Sequence, residues 1–152
     1  MPTLQPWRVT INAKPEDVWP YVGNLEKQAD WSPKPYSVEW LSGEPNRVGS
    51  RFRSTGWLPQ DKNHRMEGEV TISEGPNRFE VKTSDASGEF TNTYVLTARP
   101  DGTTLVEKTL VVPPPKGVQK VIGPIIFPLF VRGAIQKGMN RLKTVVESSG
   151  KA

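Results

Sequence analysis

The side chains able to do acid–base or covalent chemistry in this 152-residue chain are few, and their scarcity limits the reactions open to it. His64 is the single histidine, and cysteine is absent. That excludes a thiol nucleophile, a zinc–cysteine site, an iron–sulfur cluster and a multi-histidine metal site. Neither a metal nor a cofactor is therefore expected. The sequence also lacks a nucleophile elbow, a phosphate-cradling glycine loop and metal-ligand spacing. Proton transfer in a shaped pocket is the chemistry left, with His64 as general acid or base and Glu107 or Asp85 as its partner.

Such groups act only if secondary structure brings them to one place. Gln5 to Asn12 alternates, with Trp7, Val9 and Ile11 on one side, and so predicts a half-buried strand. Pro15 suits the first position of a helix, Glu16 and Asp17 favour its positive end, and Val18 with Val22 forms an apolar pair. Pro20 should bend or shorten it. A second short helix is expected over Leu25–Trp31, ending before Ser32-Pro33-Lys34-Pro35. From there to Val112, strand patterns alternate with turn clusters such as Gly75-Pro76-Asn77 and Pro100-Asp101-Gly102. Strands are predicted near 36–42, 48–57, 63–74, 78–86, 89–98 and 103–112, seven with the first.

After Pro113-Pro114-Pro115 a helical pattern is clearest from Leu129 to Glu147, with Val131, Ile135, Gly138, Leu142 and Val145 on one face. Pro124 and Pro128 predict an irregular or kinked lead-in that sets Phe127 and its apolar neighbours at a pocket mouth. The economical arrangement is α+β: a seven-stranded curved antiparallel sheet wrapped around a long C-terminal helix, with two short helices between strands 1 and 2. Residues 1–152 make one domain, long enough to bury about two-thirds of its surface without a staple.

Period-two alternation assigns the faces. Val70 and Ile72 inside carry His64, Met66 and Gly68 with them. Phe79 and Val81 bring Thr83 and Asp85. Phe90, Asn92, Tyr94 and Leu96 share a face. On the last strand, placing Leu105 and Val111 inside carries Glu107 and Thr109 inward, whereas a shift of one residue would turn Glu107 to solvent. Trp40, Phe52 and Ser54 complete the inner set on the second and third strands, and Trp31 ends the second helix. The expected ligand-contacting residues are Trp31 from the second helix, Trp40, Phe52, Ser54, His64, Met66, Phe79, Asn92, Tyr94 and Glu107 from the sheet, and Phe127, Val131 and Ile135 from the final helix. Apolar walls with sparse polar groups suit a small-molecule pocket.

Val18-Trp19, Asp30-Trp31-Ser32-Pro33, Val48-Gly49-Ser50-Arg51-Phe52-Arg53, Glu67-Gly68-Glu69-Val70-Thr71 and Gly102-Thr103-Thr104-Leu105-Val106 together resemble the SRPBCC superfamily, in its polyketide cyclase/dehydrase-like branch. The superfamily also holds START lipid-transfer domains and the birch pollen allergen fold. The resemblance implies a helix-grip fold with a deep cavity between sheet and C-terminal helix for an apolar or amphipathic ligand. It does not imply catalysis, because one fold hosts many functions.

Three functions follow as expectations: a carrier or sensor of a lipid, polyketide or isoprenoid-like molecule; a cyclase or dehydratase using His64 with Glu107 or Asp85; and a protein-interaction or toxin-like module acting through the basic C-terminal helix. The net charge of +4 arises there, since residues 116–152 carry seven Lys/Arg against Glu147 alone. This pattern is that of a solvated helix face and not of a nucleic-acid surface, so no nucleic-acid partner is expected. Residues 117–131 are open to three roles: a lid, a homodimer contact, or a transient contact with an anionic membrane surface. The apolar stretch Val121–Val131 is too short and too broken by Gly123, Pro124 and Pro128 to span a membrane. The N-terminal residues lack the pattern of a signal peptide. With cysteine absent, a cytoplasmic location is the expectation.

Overall fold

The computed structural model describes residues 3–32, 37–55, 65–86, 88–112 and 119–149, with backbone alone for 3–5 and 119–132. Along the chain these form β1 (Thr3–Ile11), α1 (Pro15–Val22), α2 (Leu25–Trp31), β2 (Ser37–Ser42), β3 (Arg51–Thr55), β4 (Arg65–Glu74), β5 (Arg78–Asp85), β6 (Gly88–Ala98), β7 (Thr104–Val111) and α3 (Gln119–Ser149). The seven strands make one antiparallel sheet in the order β1-β7-β6-β5-β4-β3-β2. It is a curved sheet with a C-terminal helix, the α+β helix-grip arrangement.

Local chemistry explains the short helices. Pro15 opens α1, with Glu16 and Asp17 in the first turn, and the helix ends two residues after Pro20. The Asn24 side chain caps α2 by accepting hydrogen bonds from the Glu26 and Lys27 backbone N–H groups at 3.0 and 3.2 Å. Asn46, in the turn after β2, accepts from the Leu25 N–H at 2.8 Å and ties α2 to the sheet edge. The buried Thr104 hydroxyl donates to the Ala13 carbonyl at 2.7 Å, joining the end of β1 to the start of β7.

The core lies between the inner face of the sheet and the three helices. Ile11, Val18, Val22, Phe79, Val106, Leu110, Met139 and Leu142 are fully enclosed. Trp19 presents its edge to Phe79, ring centroids 6.1 Å apart, and lies against Gly23 and Gly75. A Cβ on either glycine would stand 2.5–2.6 Å from the indole, so both positions leave room for it. Helix α3 lies closest to β1, with α1 and α2 also against it.

Two expectations are corrected here. The lead-in before Leu129 is not irregular: α3 is helical from Gln119 through Pro124 and Pro128 to Ser149. Each proline removes one bond from the helical ladder, and the remaining bonds carry the helix across both. Ile72 is not in the core with Val70, because a bulge between them sets Val70 against Val81 but Ile72 against Glu80. The extra residue reverses the alternation beyond it.

Candidate functional site

Most of the expected inner set does share a face. Phe52 is buried, with Gly68 beside it on β4; a Cβ at Gly68 would lie 2.6 Å from Phe52 Cζ and 2.9 Å from the Lys82 carbonyl. Ser54 and Met66 are buried opposite each other across β3 and β4. Trp40 is half-buried, packs its edge on Phe52 at 5.7 Å between centroids, and donates from Nε1 to Glu26 Oε1 at 2.9 Å. It fastens the edge strand β2 to α2.

Trp31, at the end of α2, is buried, and its Nε1 donates to the Tyr21 carbonyl at 2.9 Å. Its indole meets the Tyr94 ring edge-on at 5.9 Å. Tyr94 is buried, and desolvation raises its phenol well above its ordinary value, so it is neutral at physiological pH. Phe79 is completely enclosed, a core residue with no surface left for a ligand. Ile135 of α3 is partly buried against the core. Asp85, at the end of β5, is half-buried in phase with Val81 and Thr83 and pairs with Gly88. His64, and the side chains of Phe127 and Val131, lie outside the described residues.

Glu107 is where the expectation fails. It stands on the outer face, where Arg8 Nε donates to its Oε2 at 2.9 Å. The buried residues of β7 are Thr104, Val106 and Leu110, so Leu105, Thr109 and Val111 also belong to the outer phase. An outward carboxylate cannot serve as acid–base partner to a group on the inner face, so a His64–Glu107 pair at the inner face is ruled out.

The phase that turns Glu107 outward turns Lys108 inward. Lys108 pairs with Trp7 on β1 and with Tyr94 on β6, and its Nζ lies 5.0 Å from the Tyr94 ring centroid. Burial lowers its amine to about 8, and no other cause contributes. Among the described residues no carboxylate and no hydrogen-bond acceptor reaches Nζ. Sequence alternation missed this residue, although a signal was there. The phase of Val106, Leu110 and Val112 holds three apolar residues, against Leu105 and Val111 in the other, and Arg8 outside β1 calls for an acid across from it.

Lys108 and Asn92 share a further property. The cross-strand neighbours of Asn92 are Val81 and Leu110, and those of Lys108 are Trp7 and Tyr94. All four are buried, as are Phe90, Val106 and the other flanking residues of the same face. Asn92 and Lys108 themselves keep accessible surface. A polar pair that water can touch, ringed by side chains that it cannot, marks a recess in the inner face. Among the described residues no group of three His, Cys, Asp or Glu is placed to hold a metal. No described helix is long and apolar enough to cross a membrane.

Known proteins share this architecture. TTHA0849 from Thermus thermophilus superposes with a TM-score of 0.74 at 18% identity, covering 97% of this chain and 99% of that one. CV1439 from Chromobacterium violaceum gives 0.69 at 16%, covering 97% and 99%. DynU16, from the dynemicin biosynthetic locus, gives 0.68 at 17%, covering 95% of this chain and 47% of its own. No curated protein matches the chain. At these identities the structures share the fold alone. The family model for polyketide cyclase / dehydrase and lipid transport, however, matches residues 8–147, and with that extent the chain belongs to this SRPBCC-type family.

Proposed function

We propose that the protein binds a hydrophobic or amphipathic small molecule, of the lipid, polyketide or isoprenoid kind, between the inner face of the sheet and α3, and acts as its carrier or sensor. One observation carries the reading: Asn92 and Lys108 keep accessible surface on the inner face although the residues directly across from and beside them are buried. Apolar walls supply burial, and a few polar groups fix orientation. Family membership supports the ligand class. The helix backbone also comes nearest the sheet along β1, at its flank, which is compatible with space over β5 and β6.

Native mass spectrometry of the purified protein tests this. The expected result is an added mass that is lost on denaturation and passes into organic solvent. A bare chain mass, together with failure to bind the uncharged fluorophore phenylnaphthylamine, would overturn it.

A further inference from the structure

We infer that the ligand carries an anionic oxygen group, a carboxylate, phenolate or enolate on an otherwise apolar skeleton, and that the Lys108 ammonium is its anchor. This rests on the binding function proposed above and adds the chemical class of what is bound.

An ammonium set among buried side chains, with no counter-ion among the described residues, is among the costlier groups a fold can hold. At pH 7 an amine titrating at about 8 is still mostly charged. Around Lys108 the inner face offers Trp7, Tyr94, Val106 and Leu110, none of them anionic. Tyr94 is held in its neutral form by burial and gives the cation only its ring. The acid next in sequence, Glu107, is spent on Arg8 on the other side of the sheet. The aromatic face offsets part of the desolvation, but a ring is a weaker partner than a carboxylate.

The position of the charge argues for a ligand and against a structural role. Lys108 stands at an accessible point of the recess, with Asn92 diagonal to it across β6 and β7. Diagonal pairs on one face are separated by about 7 Å, so the Asn92 amide and the ammonium can donate to one bound group. An apolar skeleton then lies along the buried residues around them. A perturbed titratable group in a recess, with no counter-charge among the described residues, has the features of a functional residue.

The test compares anilinonaphthalene sulfonate with phenylnaphthylamine, the same fluorophore without the charge, by fluorescence titration at pH 7. The wild-type chain should bind the anion about ten- to a hundredfold more tightly than the neutral probe, as expected for hydrogen bonds to a charged group. Lys108→Met, close in volume and uncharged, should abolish that preference, so that the two probes bind with similar affinity, and its cooperative thermal unfolding shows that the variant is folded. If the preference survives in Lys108→Met, it arises from the basic surface and the anchor is overturned while the binding function stands. If wild type binds both probes equally, the anchor is likewise overturned. If it binds neither, the binding function itself falls, and the anchor with it.

Discussion

Arg8 and Glu107 face each other across β1 and β7 on the outer side of the sheet, Nε to Oε2 at 2.9 Å, and directly behind them Trp7 and Lys108 face each other on the inner side. The two pairs are consequences of one register. The outer pair is exposed enough for water to screen it, 58% for Arg8 and 29% for Glu107.

Glu107→Gln should therefore cost less than about 1 kcal/mol, the range of exposed ion pairs. It should leave the affinity for a hydrophobic probe unchanged. Urea denaturation and a fluorescence titration check the two statements. A large loss of binding would mean that Glu107 reaches the inner face after all.

Stability should depend on pH through Lys108. In the folded chain its amine titrates at about 8, against 10.5 in the unfolded one. Between those values the unfolded chain binds more protons, so stability rises with pH; below about 8 both states are protonated and the full cost of burial is present. From β6 the group facing the amine is Tyr94, and from β1 it is Trp7, which does not titrate. Tyr94 opposes the trend only above its ordinary value of 10.0, since its folded phenol holds its proton longer. The window from pH 8 to 10 should thus show a gain of at most about 3 kcal/mol. In Lys108→Met thermal unfolding should lose this slope, and the variant should be the more stable protein at pH 7.

Gly68→Ala should destabilise the fold by about 1–3 kcal/mol, the usual cost of overpacking. The new methyl meets both Phe52 Cζ and the Lys82 carbonyl. Phe52→Leu in the same chain should return part of the loss, since the ring can be shortened but the carbonyl cannot move aside. A chemical denaturation series on the two single variants and the double variant reads the coupling.

Phe79→Ala should cost about 3–5 kcal/mol, as expected for emptying a closed aromatic site. If Phe79 instead lined the recess, the variant would lose less stability and change its affinity for phenylnaphthylamine. Denaturation and titration of the same preparation separate the two.

The sequence made most of the fold legible where one pattern had no rival. Leu25–Trp31 ends at a Ser-Pro stop, and it forms a helix over those residues. On β1 Trp7, Val9 and Ile11 share one phase, on β6 Phe90, Tyr94 and Leu96 outnumber Val95 in the other, and the inner faces follow from these majorities. β7 is different because Leu105, Val106, Leu110, Val111 and Val112 supply apolar residues to both phases. There the tertiary partner decides, and the decision exchanges Glu107 for Lys108. On β4 the alternation breaks at a bulge that no residue type announces. In α3 two prolines argue locally against a helix that the whole molecule retains. The inward placement of Trp40, Ser54 and Asn92 follows from pattern, whereas that of Lys108 depends on a one-residue phase.

The strand order has a consequence for how the chain acquires its shape. From β2 to β7 every strand is hydrogen-bonded to the next in sequence, so that meander can grow by local hairpin closure. β1 instead joins β7, with Thr3 beside Val111 and Ile11 beside Thr104, a contact that must close a loop of most of the chain. The final helix lies against that same strand. Loop-closure entropy accordingly favours the meander over the β1 contact, and the seat of α3 is complete only with β1 in place. The wall that holds Lys108 between Trp7 and Tyr94 therefore depends on a strand pairing of long sequence separation, the costliest kind to close.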